Sequence, residues 1–117
     1  MATNLDPVFA ALGDPTRRAV IDLLHNGPRP AGELAEEFGM SAPAMSRQLR
    51  VLRRTGLVEE ERADRDDARL RVYRLRHEPF VAMRDWLDDI ERFWTDQLAA
   101  FKEHAERPRN ERGRKKK

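Results

Sequence analysis

Four arginines, Arg47, Arg50, Arg53 and Arg54, crowd the stretch from Ser41 to Arg54, and no acidic residue interrupts it. Guanidinium groups are permanent cations with a planar fork of donors, suited to phosphates and to the base edge of guanine. The chemistry on offer is recognition of a polyanion, not bond making. Projected as a helix at about 100° per residue, Met45, Leu49 and Leu52 fall within about 60° of one another as a core stripe. Pro43, Arg47, Arg50 and Arg54 lie opposite, with Ser46 and Arg53 on one flank and Gln48 nearer the core on the other. A solvated helix face ordinarily mixes both signs, as neighbouring segments of this chain do. This face carries one sign, and it suits a major groove lined by phosphates.

Other chemistries find little footing. The chain has no cysteine, which removes disulfides, thiolate metal sites, iron–sulfur clusters and cysteine catalysis. His25, His77 and His104 lie in different segments, so no metal and no cofactor is expected. The carboxylates of Asp88, Asp89, Glu91 and Asp96 read as a solvated helix face. Both serines, Ser41 and Ser46, fall in the basic segment, and nothing matches a catalytic triad or a phosphate-binding loop; no enzyme is expected. No apolar run approaches the roughly 18 residues of a membrane span, and the first residues lack a secretory pattern. A cytoplasmic protein with no membrane partner is expected.

The 117 residues carry a net charge of +2, unevenly spread. Residues 107–117 hold seven basic groups against Glu111, so the preceding 106 residues are net acidic. Two regions follow: a folded domain over 1–106 and a basic tail over 107–117, expected to be disordered. Within the domain, Leu5, Val8, Phe9 and Leu12 form one face of a short helix ending at Gly13. Asp14-Pro15 caps and opens a second helix, which runs to about His25. A third covers about Ala31–Phe38, Gly39-Met40-Ser41 turns the chain, and a fourth spans Ala42–Arg54, with Thr55-Gly56 ending it. Leu57–Arg62 and Leu70–Leu75 read as two strands around a polar tip, Ala63–Arg69. Pro79 opens a long helix to about Glu106, where Arg107-Pro108 ends it.

Two helices joined by a short glycine turn are the helix-turn-helix signature, and a hairpin directly after the second makes it winged. The fold class is mainly α with a small β-hairpin, in the order α-α-α-α-β-β-α. The stretch Ser41-Ala-Pro-Ala-Met-Ser-Arg-Gln-Leu-Arg-Val-Leu-Arg-Arg-Thr-Gly-Leu-Val58 resembles the recognition segment of the ArsR family of bacterial repressors. Leu12-Gly-Asp-Pro-Thr-Arg-Arg-Ala-Val-Ile-Asp-Leu-Leu24 is similar to that family's second-helix motif, and Val72-Tyr-Arg-Leu75 to its second wing strand. The resemblance spans about residues 5–104. Gln48 departs from it, since many members carry histidine there. Many relatives also sense metals through cysteines, or through an Asp-x-His set on the last helix. Here Asp85 is followed at that spacing by Leu87, and Glu-Arg-Phe-Trp at 91–94 is similar to a branch without metal ligands.

On the last helix Phe80, Met83, Leu87, Ile90, Trp94, Leu98 and Phe101 form one apolar stripe, and Trp86, Phe93 and Ala100 a second. Two adjacent stripes exceed what one small domain covers, so a homodimer is expected. The resemblance implies that the first and last helices build it, which nominates Leu5, Phe9, Trp86, Ile90, Phe93, Trp94 and Phe101. The expected function is a transcriptional repressor on double-stranded DNA at an inverted repeat. Arg47 and Gln48 would contact bases, and Ser41, Ser46, Arg50 and Arg54 phosphates or flanking bases; Pro43 and Ala44 belong to the same DNA-binding set. Arg65 and Arg69 at the wing tip would approach a minor groove. A small-molecule effector, unidentified, remains a candidate partner. The rival readings are a winged-helix protein-interaction module and a low-specificity architectural DNA-binding protein.

Overall fold

A computed structural model of the chain describes the backbone of residues 4–65 and 68–115, and the side chains of 4–64 and 70–106. The elements are α1 (Asp6–Leu12), α2 (Pro15–Leu24), β1 (Arg29–Pro30), α3 (Ala31–Glu37), α4 (Ala42–Arg54), β2 (Val58–Arg65), β3 (Ala68–Leu75) and α5 (His77–Lys115). Two units emerge, one ending at Ala82 and the other beginning at Met83.

The first unit closes on a core of Val8, Ala11, Val20, Leu24, Leu34, Ala35, Met45, Leu49, Leu52, Leu57, Val58 and Val72, all buried. Local chemistry fixes where its helices start. Asp14 caps α2, its Oδ2 accepting from the Arg17 backbone N–H at 3.0 Å, with Pro15 behind it. Ser41 caps α4 in the same way, Oγ accepting from the Ala44 N–H at 3.2 Å. Gly39 (φ 62°) and Gly56 (φ 81°) hold left-handed backbone on either side of α4, where a side chain would be strained. The helix between them is thus delimited at both ends by its own sequence.

Three differences from the sequence reading stand out. A third strand, β1, pairs antiparallel with β3 through Arg29↔Tyr73 and Pro30↔Val72, giving the sheet order β1-β3-β2. Two residues have no detectable periodicity, and a proline is admissible here because β1 is an edge. The hairpin strands are also longer than expected: β2 and β3 pair from Val58↔Leu75 out to Arg65↔Ala68. Cross-strand pairing carries the polar residues there, which alternation of apolar side chains could not reveal.

The third difference is the length of α5, which continues through Arg107 and Pro108 to Lys115 instead of ending at Glu106. An internal proline forfeits one hydrogen bond and crowds the preceding turn, but the surrounding glutamate, arginine and lysine residues are strong helix formers. The side chains of the tail lie outside the described residues. Within the second unit, α5 exposes Trp86, Leu87, Ile90, Phe93, Trp94, Leu98 and Phe101, and the Phe93 and Trp94 rings meet edge-on with centroids 5.9 Å apart.

Candidate nucleic-acid interface

The interface is built on α4. Met45, Leu49 and Leu52 are wholly buried and anchor the helix on the first unit, as the projection required. Their burial turns Ser41, Pro43, Ser46, Arg47, Arg50, Arg53 and Arg54 outward, all exposed. Ala44 and Gln48 are half-buried on a flank. Gly39 and the Met40 N–H···O=C Ala35 bond of 2.9 Å set the turn that swings α4 away from α3.

Ion pairing sorts the arginines. Arg53 reaches β2 and pairs with Glu60 at 3.0 Å, and Arg71 of β3 pairs with the same carboxylate at 3.2 Å. Arg74 pairs with Glu59 and with Glu61, and Arg76 with Glu59 at 3.7 Å and Glu78 at 3.5 Å. The hairpin stem is therefore close to charge-neutral. By contrast Arg47, Arg50 and Arg54 have no ion pair among the described residues. Three exposed arginines without an ion pair among the described residues thus lie together on α4, and Arg62 of β2 is likewise exposed and unpaired among them. Beside Glu60, the Tyr73 hydroxyl has its pKa raised, by burial first and by that carboxylate second, so it stays protonated at neutral pH.

Two residues of this site had no role in the sequence reading. Arg17 donates from Nη1 to Gln48 Oε1 at 3.0 Å and from Nε to the Ala11 carbonyl at 2.7 Å, joining α1, α2 and α4. Glu60 joins α4 to the hairpin. Neither pairing has a local sequence signal, since the partners are 31 residues apart in the first case. Of the residues nominated for DNA, Arg65 and Arg69 have side chains outside those described.

Among the interface candidates, Leu5, at the N-cap of α1, is 9% exposed, whereas Phe9 is exposed. Trp86, Ile90, Phe93, Trp94 and Phe101 are exposed on α5. Among the described residues no group of three or more histidine, aspartate or glutamate side chains converges as a metal site. No helix among them is long and apolar enough to cross a membrane.

A family model described as a helix-turn-helix domain matches residues 12–61, from the end of α1 into β2. The chain is 40% identical over 96 residues to the HTH-type transcriptional regulator Rv2034 of Mycobacterium tuberculosis, spanning 82% of this chain and 83% of that protein. An ArsR-like transcriptional regulator from Rhodococcus sp. RHA1 has a TM-score of 0.74 at 32% identity, over 88% of this chain and 93% of that one. The homodimeric winged helix-turn-helix DNA-binding domain of Mb0332 from Mycobacterium bovis, described as a possible ArsR-family regulator, has a TM-score of 0.56 at 27% identity. That match covers 87% of this chain and 82% of the other. A glycine turn between α3 and α4, a hairpin wing directly after them and 40% identity along most of both chains point the same way: this chain belongs to the ArsR family of winged helix-turn-helix transcriptional regulators.

Proposed function

We propose that two copies of this chain bind one inverted-repeat operator, each laying α4 in a major groove, and repress transcription by occupying the promoter. The observation that carries this reading is the cluster of Arg47, Arg50 and Arg54, exposed and unpaired among the described residues on a helix whose opposite side is buried. Arg47 and Gln48 read base edges; Ser41, Ser46, Arg50 and Arg54 hold phosphates, with Pro43 and Ala44 at the leading end of the helix. Arg65 and Arg69 of the wing reach a minor groove. The homodimeric description of the Mycobacterium bovis neighbour supports two-fold assembly, and so do the exposed aromatic side chains of α5. A dimer spaces its recognition helices about one turn of DNA, or roughly 34 Å, apart.

The site of action is the cytoplasm. The effector we expect is a small organic molecule, and within the first unit a cavity of about 530 Å³ lined by Ile21, Asp22, His25, Leu75, Arg76, His77 and Phe80 has the size for one. The test of the function is selection of bound duplexes from a random pool, followed by titration of the enriched sequence and of scrambled DNA at fixed salt. An enriched palindrome bound at least about a thousandfold more tightly than random DNA is the expected result. Equal affinity for both would leave an architectural protein, and no affinity a protein-interaction module.

A further inference from the structure

Arg17 stands in the first turn of α2 with its guanidinium held at both ends. Nε donates to the Ala11 carbonyl at 2.7 Å, one of the acceptors that the last turn of α1 leaves unpaired, and Nη1 donates to Gln48 Oε1 at 3.0 Å. A guanidinium has donors only, so the atom of the Gln48 amide that faces it must be the oxygen. The orientation of this amide, ordinarily ambiguous, is thereby fixed by chemistry. Nε2 is left on the other branch with no partner among the described residues. It is not buried either, since Glu60 Oε2 is the one buried side-chain polar atom without a hydrogen bond among those residues. Next to Arg47, α4 therefore presents an NH₂ donor whose carbonyl is already engaged.

We infer that Arg17 sets the base specificity of Gln48, turning a residue that would read adenine into one that reads guanine; this rests on the reading that α4 lies in the major groove. An unconstrained glutamine pairs with adenine through both atoms, the oxygen accepting from N6 and the nitrogen donating to N7. With Oε1 turned toward Arg17, the adenine amino group meets the amide NH₂ instead of an acceptor. Guanine offers O6 and N7, both acceptors, to the same NH₂. Arg17 does not follow Gln48 toward the groove, because the Ala11 carbonyl anchors its other end. Arg17 is a positioning residue, and Gln48 makes the contact.

The experiment uses the full chain and three variants, Gln48→Ala, Gln48→Glu and Arg17→Met, each selected against the same random duplex pool, with circular dichroism and sedimentation recorded for all. The wild type should enrich guanine at a base pair whose preference vanishes in Gln48→Ala. Gln48→Glu keeps the contact with Arg17 but changes the outward atom from donor to acceptor. Its preference at that pair should move to cytosine, whose N4 amino group donates. Arg17→Met frees the amide to turn, so adenine should be accepted there as well as guanine, the discrimination falling about tenfold, with the other positions unchanged. A purely structural role for Arg17 would weaken all sequences alike, and that result overturns the inference. So does an enriched operator whose base preferences survive Gln48→Ala or Gln48→Glu intact; in both cases the regulator reading stands. If the wild type enriches no sequence, the proposed function itself fails, and the inference with it.

Discussion

Ser41 has a structural role at an atom also proposed for DNA contact. Its Oγ closes the N-terminus of α4 by accepting from the Ala44 N–H, while the side chain is exposed at the end of the helix proposed to enter the groove. Ser41→Ala should therefore cost about 1 kcal/mol of stability by denaturant titration, whereas Ser46→Ala, in the body of the helix, should leave stability nearly unchanged. Arg47→Ala should weaken binding to the selected operator by about 1–3 kcal/mol and relax one base preference, as a base-edge contact requires. Glu60 acts in the opposite sense, because its carboxylate neutralises Arg53 and Arg71. Glu60→Gln retains a hydrogen-bonding group but releases those charges. Affinity for random DNA should rise, and the salt dependence should steepen by about 0.9 in log–log slope for each arginine that then meets a phosphate. Binding isotherms across a salt series check this.

At the scale of elements, α5 poses the plainest physical problem. Its aromatic and aliphatic stripes are exposed, and Phe101 is 70% so. A monomer rarely leaves a contiguous apolar patch larger than a few hundred Å² in water. The second copy proposed above would cover these stripes, and replacing Ile90 or Trp94 with glutamate should lower dimer stability and operator binding together. Sedimentation at micromolar concentration reads the first and anisotropy the second. A well-folded wild-type monomer at that concentration would sink the dimer. The hairpin behaves differently: its stem is pinned by Glu59, Glu60 and Glu61 against Arg71, Arg74 and Arg76. Arg62 on β2 is exposed and has no ion pair among the described residues.

Across the whole molecule, charge is segregated. The tail from Arg107 onward carries a net +6 while the residues before it sum to −4. Deleting 108–117 should lower affinity for all duplexes and flatten the salt dependence, in contrast to Arg47→Ala, which should act on the operator alone. Equal losses on operator and random DNA from both changes would refute this division. Metals should leave the operator complex unchanged. The chain lacks sulfur ligands of the thiolate kind, and its three histidines lie far apart in sequence. Titrating zinc, nickel and copper into a chelator-treated complex should shift affinity by less than about tenfold, that is, by less than about 1.4 kcal/mol.

What the sequence determined by itself was whatever is written in local spacing. Asp14-Pro15, Ser41 and Gly56 mark helix ends through hydrogen bonds and backbone angles within a few residues, and all three act there. Met45, Leu49 and Leu52 at helical spacing named the buried side of α4, and so the outward face of Arg47, Arg50 and Arg54. Tertiary structure decided what depends on partners distant along the chain. The two-residue strand β1 exists only because β3 lies beside it. Leu5 and Phe9 share one face in the helical pattern, yet Leu5 is buried and Phe9 exposed once α1 packs within the first unit. The state of Gln48 depends on Arg17, 31 residues earlier, and that of Arg53 on Glu60 across the turn into the wing. Helix faces follow from a period of about 3.6 residues, but which polar groups pair is settled only when elements meet, because hydrogen bonds and ion pairs act over a few ångströms.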